Sequence, residues 1–441
     1  MKQTFALRGN LVYTKKIGTM EILEQQYLVC EDGRVQGIYP ELPQQFCGIP
    51  VEDMGDRIII PGLTDLHVHA PQYSFRGLGM DLELLDWLNT NTFPEESKYR
   101  DPEYAKKAYD IFVKNLTHGA TTRACVFATI HNEATLLLMD RLEEAGIAAM
   151  VGKVNMDRNS PDYLREASAE ESAKATREWI RAVAERHYDH VQPILTPRFT
   201  PSCSDELMEL LHDIQKETGL PVQSHLSENL GEIESVLSLC PGHADYLEVY
   251  ERAGLLTDRS IFGHCVHLTD REYKRLGETG GIIAHCPTSN LFLGSGLFDM
   301  REANRYGVRT TLATDVGAGT SFSMWRTMGE AYKVQQLNGY PMTALEAIYK
   351  CTLGSARALS LDDRIGSFLP GREADFIVVD YAATSVQKLR MEYLRSRDKW
   401  TIENKLFGLQ TLGDDRNTVC TYIMGKQVYG SDSCDHQEAS M

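Results

Sequence analysis

The stretch Arg57-Ile58-Ile59-Ile60-Pro61-Gly62-Leu63-Thr64-Asp65-Leu66-His67-Val68-His69 decides the fold. An apolar, β-branched run is interrupted by a Pro-Gly break and ends on two histidines one residue apart. Along a strand, residues i and i+2 share a face, so both imidazoles aim at one place. Imidazole is the commonest metal ligand at neutral pH, and two on one face form a ready chelate. The pair alone fits two chance surface histidines equally well. The rest of the chain decides.

Downstream, short β-rich apolar segments alternate with longer helical stretches. Strands are predicted at Arg57 to Leu66, Ala120 to Ile130, Ala148 to Met156, Val191 to Phe199, Pro221 to His225, Ser260 to Val266, Gly281 to Cys286 and Val308 to Thr314. Helices are predicted at Glu170 to Glu185, Asp205 to Thr218 and Asp270 to Glu278, the last capped by Thr269. Eight such strand–helix units over about 300 residues predict an α/β fold, a (β/α)8 TIM-like barrel. A doubly wound open sheet is the alternative, because periodicity does not prove closure.

The two ends read differently. Strand-like pieces lie at Thr4 to Leu7, Gln26 to Cys30 and Arg34 to Ile38, the last two joined by the turn Glu31-Asp32-Gly33. Further pieces follow at Asp375 to Asp380 and Thr418 to Val428. The expected organisation is a small β-sandwich domain from residues 1–60 and 366–430, discontinuous in sequence, flanking a barrel at 61–365. Residues 431–441 read as a polar tail.

With 441 residues, 42% of them apolar and 24% charged, the chain has ample material for a large core. Its net charge of −17 argues against nucleic acid and anionic membrane surfaces as partners. The N-terminal stretch lacks an apolar signal core, and no window approaches the ~18 apolar residues of a spanning helix. The ten cysteines include no C-x-x-C pair. They read as reduced thiols of a cytoplasmic protein, leaving any metal to nitrogen and oxygen ligands.

Barrel active sites form where strands end. The predicted strand ends carry His67 and His69, then Arg198-Phe199, then His225 with Glu228 three residues on, then His264, then Asp315. Four histidines and an aspartate at corresponding strand ends read as a metal site with a position open for water. Such a ligand set suits zinc or ferrous iron. A bound ion lowers the pKa of water from 15.7 towards ~7. One carboxylate can take the water's proton and another can deliver one to a substrate, with Asp315 and Glu228 as the candidates. Hydrolytic attack on an electron-poor carbon is the chemistry implied.

These segments resemble the amidohydrolase superfamily, and within it the guanine deaminase family. The matching residues are Pro61 to Gln72, Thr196 to Phe199, Ser224 to Asn229, Gly263 to Cys265, His285 to Asn290, Thr314 to Val316, Leu85 to Leu88 and Thr411 to Asn417. Gly371 to Asp380 is similar to that superfamily's return into its small β-domain. The resemblance implies one divalent metal, zinc or iron, held by His67, His69, His225 and Asp315, with His264 beside it bonding water or substrate. Dinuclear relatives use a lysine on the fourth strand; Val191 to Phe199 has none, and Lys153 reads as structural or supporting.

The implied reaction converts guanine to xanthine and ammonia. Asp315 and His264 deprotonate water, which attacks C2, while Glu228 protonates N3. Arg198 is expected to bond the carbonyl oxygen, Gln72 to read the ring-nitrogen edge and Phe199 to pack on the ring. His225, Glu228 and Asp315 would also border the substrate. The nearest alternative is a relative acting on another amino-heterocycle, such as a triazine or an adenosine-like nucleoside. A homodimer in the cytoplasm is implied by the same likeness. His131 and His285 read as packing or supporting residues, and His118, His187, His190, His212, His243 and His267 as structural or exposed.

Overall fold

Eight short parallel strands, mostly buried on both faces, occupy the centre of the computed structural model. It describes residues 4–16, 18–79 and 81–430; the expected tail at 431–441 lies outside the described residues. The strands are β1 (Leu63–His69), β2 (Thr121–Phe127), β3 (Ala148–Gly152), β4 (Val191–Pro193), β5 (Val222–Leu226), β6 (Ser260–His264), β7 (Ile282–His285) and β8 (Arg309–Leu312). Six of the eight fall inside the segments read from the sequence; β1 runs three residues past its segment and β5 one.

Two four-stranded parallel sheets result, ordered β1-β2-β3-β4 and β5-β6-β7-β8. The pair Val154–Asn155 and Thr196–Pro197 extends the third and fourth segments as a separate parallel ladder. A parallel bridge between Leu195 and Val222 joins one seam. At the other, the Asp315 amide donates to the His67 carbonyl (2.8 Å) and the His69 amide to the Val316 carbonyl (2.7 Å).

Helices between the strands begin where the sequence supplies caps. Ser168 caps Ala169–Arg186, Ser204 caps Asp205–Thr218, and Thr269 forms a reciprocal capping box with Glu272 on Asp270–Thr279. The last two stop at Gly219 and Gly280, both left-handed.

The first strand departs from the expectation. The run Arg57 to Leu66 is not continuous: Val51–Pro61 belongs to a different sheet, and β1 starts at Leu63. Gly62 is the joint. A Cβ there would lie 2.1 Å from Thr122 Oγ1, so only glycine lets the chain pass between sheets.

That other sheet has seven strands, built from both chain ends. Its order is Lys426–Gly430, Thr418–Ile423, Phe376–Val379, Val51–Pro61, Thr4–Lys16, Thr19–Glu31, Arg34–Tyr39. Val51–Pro61 pairs in parallel with Thr4–Lys16 and antiparallel with Phe376–Val379. Contacts also cross the sheet: the Ala374 amide donates to the Gly33 carbonyl, and Phe5 stacks on Tyr422 at 5.9 Å. Leu7, Leu28, Val35, Ile59, Phe376, Val378 and Val419 form its core. Residues 366–430 also contain two helices that the sequence reading did not anticipate, Ser385–Ser396 and Ile402–Leu412. Their apolar residues Met391, Leu394, Ile402, Leu406 and Leu409 join the main core instead.

Candidate active site

The ends of β1, β5, β6 and β8 bring their polar residues to one point. Asp315 Oδ1 lies 3.3 Å from Nε2 of both His67 and His69. His225 Nε2 lies 3.2 Å from His69 Nε2. The ligand atoms of His67, His69, His225 and Asp315 all fall within 4.8 Å of one another. His264 sits alongside, its Nε2 at 3.7 Å from Asp315 Oδ2 and 3.4 Å from Glu228 Oε2.

The backbone is forced to make this convergence. Ser227, His264, Cys265 and Asp315 all adopt left-handed φ values, 48°, 72°, 55° and 49°. Non-glycine residues accept such angles only where surrounding structure compels them, and four gathered at the ends of β5, β6 and β8 mark a built site. Asp65, fully buried on β1, accepts from the Thr314 amide (3.0 Å), the Thr314 hydroxyl and the His67 amide (3.2 Å). It thereby ties the ligand-bearing end of β1 to that of β8.

The donor set fits a divalent ion. Nδ1 of His67 is buried without a hydrogen-bond partner, and its Nε2 faces the Asp315 carboxylate at 3.3 Å, an arrangement a cation held between them would satisfy. His225 Nδ1–H donates to the Arg198 carbonyl (2.6 Å), which leaves its Nε2 lone pair facing the cluster. Burial lowers the pKa of His67, of His69 to about 4, and of His225 well below normal, so all three are neutral ligands at pH 7. Burial alone would raise the Asp315 carboxyl, but the imidazoles of His264, His67 and His69 hold it well below the usual range.

Glu228 is set the opposite way. Burial, reinforced by the Asp315 charge, pushes its carboxyl well above the ordinary value, which favours its protonated form. Ser295 Oγ donates to its Oε1 (3.1 Å), and its own amide donates to Glu232 Oε2 (2.8 Å). His264 Nδ1–H donates to Asn290 Oδ1 (2.9 Å), which turns its Nε2 towards Glu228 and Asp315. A proton acceptor and a proton donor thus stand on either side of one small space.

That space is a cavity. His69, His225, His264, Asp315, Glu228 and Arg198 line its polar floor; Trp87, Leu88, Phe199 and Leu293 line its apolar wall, and Gln72 reaches in from the loop after β1. Every site residue expected from the sequence borders this cavity or, in the case of His67, lies against it. His131 and His285 do not line it: His131 begins the helix Asn132–Ala145, and His285 packs on Phe298 at 4.7 Å. Lys153 is buried and paired with Glu166, away from the lining. Thr411 to Asn417 ends one helix and forms a capped turn, also outside the cavity.

Glu96 escaped the sequence reading altogether. It is buried and accepts from Gln72 Nε2 through Oε1 and from Arg198 Nη1 through Oε2, each at 2.7 Å. It lies on Phe93–Glu96, directly after a π-helical turn at Leu88–Thr92, in a connection rather than at a strand end. Asn290 and Ser295, which support His264 and Glu228, also went unassigned. Only Asn290 fell within a segment already singled out.

Comparison with known proteins agrees with this geometry. The Amidohydrolase family model matches residues 58–428. A guanine deaminase from Escherichia coli (strain K12) is 44% identical over 384 residues, 86% of this chain and 85% of the relative. One from Dictyostelium discoideum is 38% identical over 444 residues, 96% of this chain and 97% of the relative. A crystal structure of guanine deaminase from C. acetobutylicum, with guanine bound in its active site, superposes with TM-score 0.88 at 38% identity, covering 97% of this chain and 100% of that one.

Proposed function

We propose that this chain, which belongs to the amidohydrolase family, hydrolyses guanine to xanthine and ammonia. One observation carries the reading. Glu228, His264 and Asp315 and the two polar readers Gln72 and Arg198 all face one cavity beside a cluster of three histidines. Relatives named guanine deaminase, identical at more than a third of positions over nearly the whole chain, support the same substrate.

His67, His69, His225 and Asp315 would hold one divalent ion, zinc or alternatively iron, which when bound supplies a water acidic enough to ionise at neutral pH. Asp315 and His264 take up the proton lost by that water. Glu228 passes its proton to N3 as the water oxygen bonds to C2. The Glu228 carboxylate then takes the proton of the new C2 hydroxyl and passes it to the 2-amino nitrogen, so that the C2–N bond breaks, the C2 carbonyl forms and ammonia leaves. Arg198 donates to the carbonyl oxygen, Gln72 meets the ring N–H, and Phe199 with Trp87 excludes water from the ring faces.

The same proposal includes a closed eight-stranded barrel at 61–365, supported by the backbone bonds at both seams, and a small β-domain from 1–60 and 366–430. It includes a cytoplasmic homodimer, on family likeness and the buried free thiols of Cys125, Cys203, Cys265, Cys286 and Cys351. No helix among the described residues is long and apolar enough to cross a membrane. The deciding experiment incubates purified protein with guanine, follows xanthine and ammonia, and measures metal by elemental analysis. Xanthine and ammonia in equal amounts, with about one metal per chain, are expected. Ammonia from another amino-heterocycle but none from guanine would replace the substrate assignment.

A further inference from the structure

We infer that Glu96 determines which hydrogen-bonding edge of a purine the cavity accepts, by fixing the amide of Gln72 and the guanidinium of Arg198 in one orientation each. The inference rests on the guanine reading above and deepens it. Glu96 acts as a positioning residue, through its two neighbours.

A carboxylate only accepts hydrogen bonds. Because Oε1 of buried Glu96 takes its bond from Gln72 Nε2, the amide cannot present its NH2 and its carbonyl interchangeably. The donor end is committed to Glu96, and Gln72 Oε1 is the end left for the cavity. Arg198 is committed in the same way: Nη1 points at Glu96 Oε2, and Phe93 lies under the guanidinium, its centroid 5.2 Å from Cζ. Arginine has no acceptor, so what remains for a ligand is N–H alone.

The two readers therefore offer one acceptor beside a set of donors. A lactam edge, with N1–H next to O6, is complementary at both positions. An edge with an unprotonated N1 next to a 6-amino group sets acceptor against acceptor and donor against donor. In a site this dry, leaving such groups unpaired is expensive. The π-helical turn at Leu88–Thr92 brings Glu96 to this place while Trp87 and Leu88, on the same connection, form the apolar wall.

The test compares guanine with 2,6-diaminopurine, which carries the same reacting 2-amino group and the inverted edge. The proteins are the parent, Glu96→Gln and Glu96→Asp, each with metal content and Tm measured. Glu96→Gln gives Gln72 a partner that can donate or accept, so the amide is free to flip. Glu96→Asp keeps the charge beside Arg198 but is a methylene too short to hold both partners. The expected result is a fall of about tenfold in the guanine-to-diaminopurine ratio of kcat/KM, carried mainly by KM for guanine, with metal content unchanged. An unchanged ratio in both variants would overturn the inference. So would a parallel loss on both purines that tracks Tm. A parent that holds metal yet releases no ammonia from guanine would overturn the functional reading itself, and the inference with it.

Discussion

Replacing Gly263 with alanine should empty the metal site while leaving the chain folded. Gly263 lies on β6, facing the cluster. A Cβ there would sit 2.5 Å from His67 Cε1, 2.8 Å from its Nδ1 and 3.0 Å from its Nε2. Comfortable carbon–carbon contact is ~3.5–4.0 Å, so the imidazole must retreat by about 1 Å. It has nowhere to go. Phe127 and His225 stand with ring centroids 4.7 Å away, His69 at 5.2 Å and His264 at 5.4 Å. Overpacking of this kind costs about 1–3 kcal/mol of stability, and a displaced ligand lowers metal affinity by about 10–100-fold. At a fixed free-metal level, a hundredfold loss removes up to ~2.7 kcal/mol of metal-linked stabilisation. The assay is elemental analysis after dialysis, with melting curves recorded with and without chelator. The parent's Tm should drop in chelator, whereas the variant should melt low in both conditions, hold little metal and release little ammonia. A Gly263→Ala protein with a full metal complement and a parental chelator response would refute the steric reasoning.

Glu228→Gln is nearly isosteric and touches no assigned ligand, so metal content should be kept while turnover falls about 10²–10⁴-fold. Parental turnover would remove Glu228 from the proton path. Arg198→Ala should raise KM for guanine and also destabilise the fold, because Glu96 is left buried without its cation; unaltered guanine kinetics would mean the pocket has been misread. Asp375 supplies a pH test far from the chemistry. Burial raises its pKa from 3.8 to about 6, against the opposing pull of Arg123. Its folded-state pKa is raised, so the carboxyl favours folding when protonated, and that contribution disappears as pH climbs from about 4 to 6. Asp375→Asn keeps an acceptor for the Met424 amide (2.8 Å) and should raise stability at pH 8 by at most about 3 kcal/mol, with no gain at pH 4. A gain of equal size at both pH values would assign the effect to packing instead.

The candidate metal cluster was legible because its residues lie at regular positions. Each sits at or just past the end of a short strand, and the parallel arrangement puts all such ends on one side. The joint at Gly62 was not legible, since Ile58 to Ile60 and Leu63 to Leu66 both read as strand and nothing in their pattern announces a change of sheet. The steric cause, Thr122, is nearly sixty residues away and becomes a neighbour only after folding. Glu96 was hidden for a related reason. It comes from an irregular connection with a π-helical turn, which has no period to recognise, and its partners Gln72 and Arg198 are remote in sequence. The helices Ser385–Ser396 and Ile402–Leu412 were masked by an exposed apolar stripe on the first, Val386, Leu389 and Tyr393, which blurs its amphipathic pattern.

The pairing of Val51–Pro61 with Phe376–Val379 also dictates an order of events during synthesis. Ile60 meets Ile377 and Ile58 meets Val379, so one edge of this strand waits for a partner made about 300 residues later. Until then the nascent chain carries an unprotected apolar edge, open to pairing with other chains. A ribosome stalled before residue 376, or a truncation there, leaves every ligand of the metal cluster synthesised but the edge uncovered. Such fragments should need chaperones or aggregate, although their catalytic half is complete.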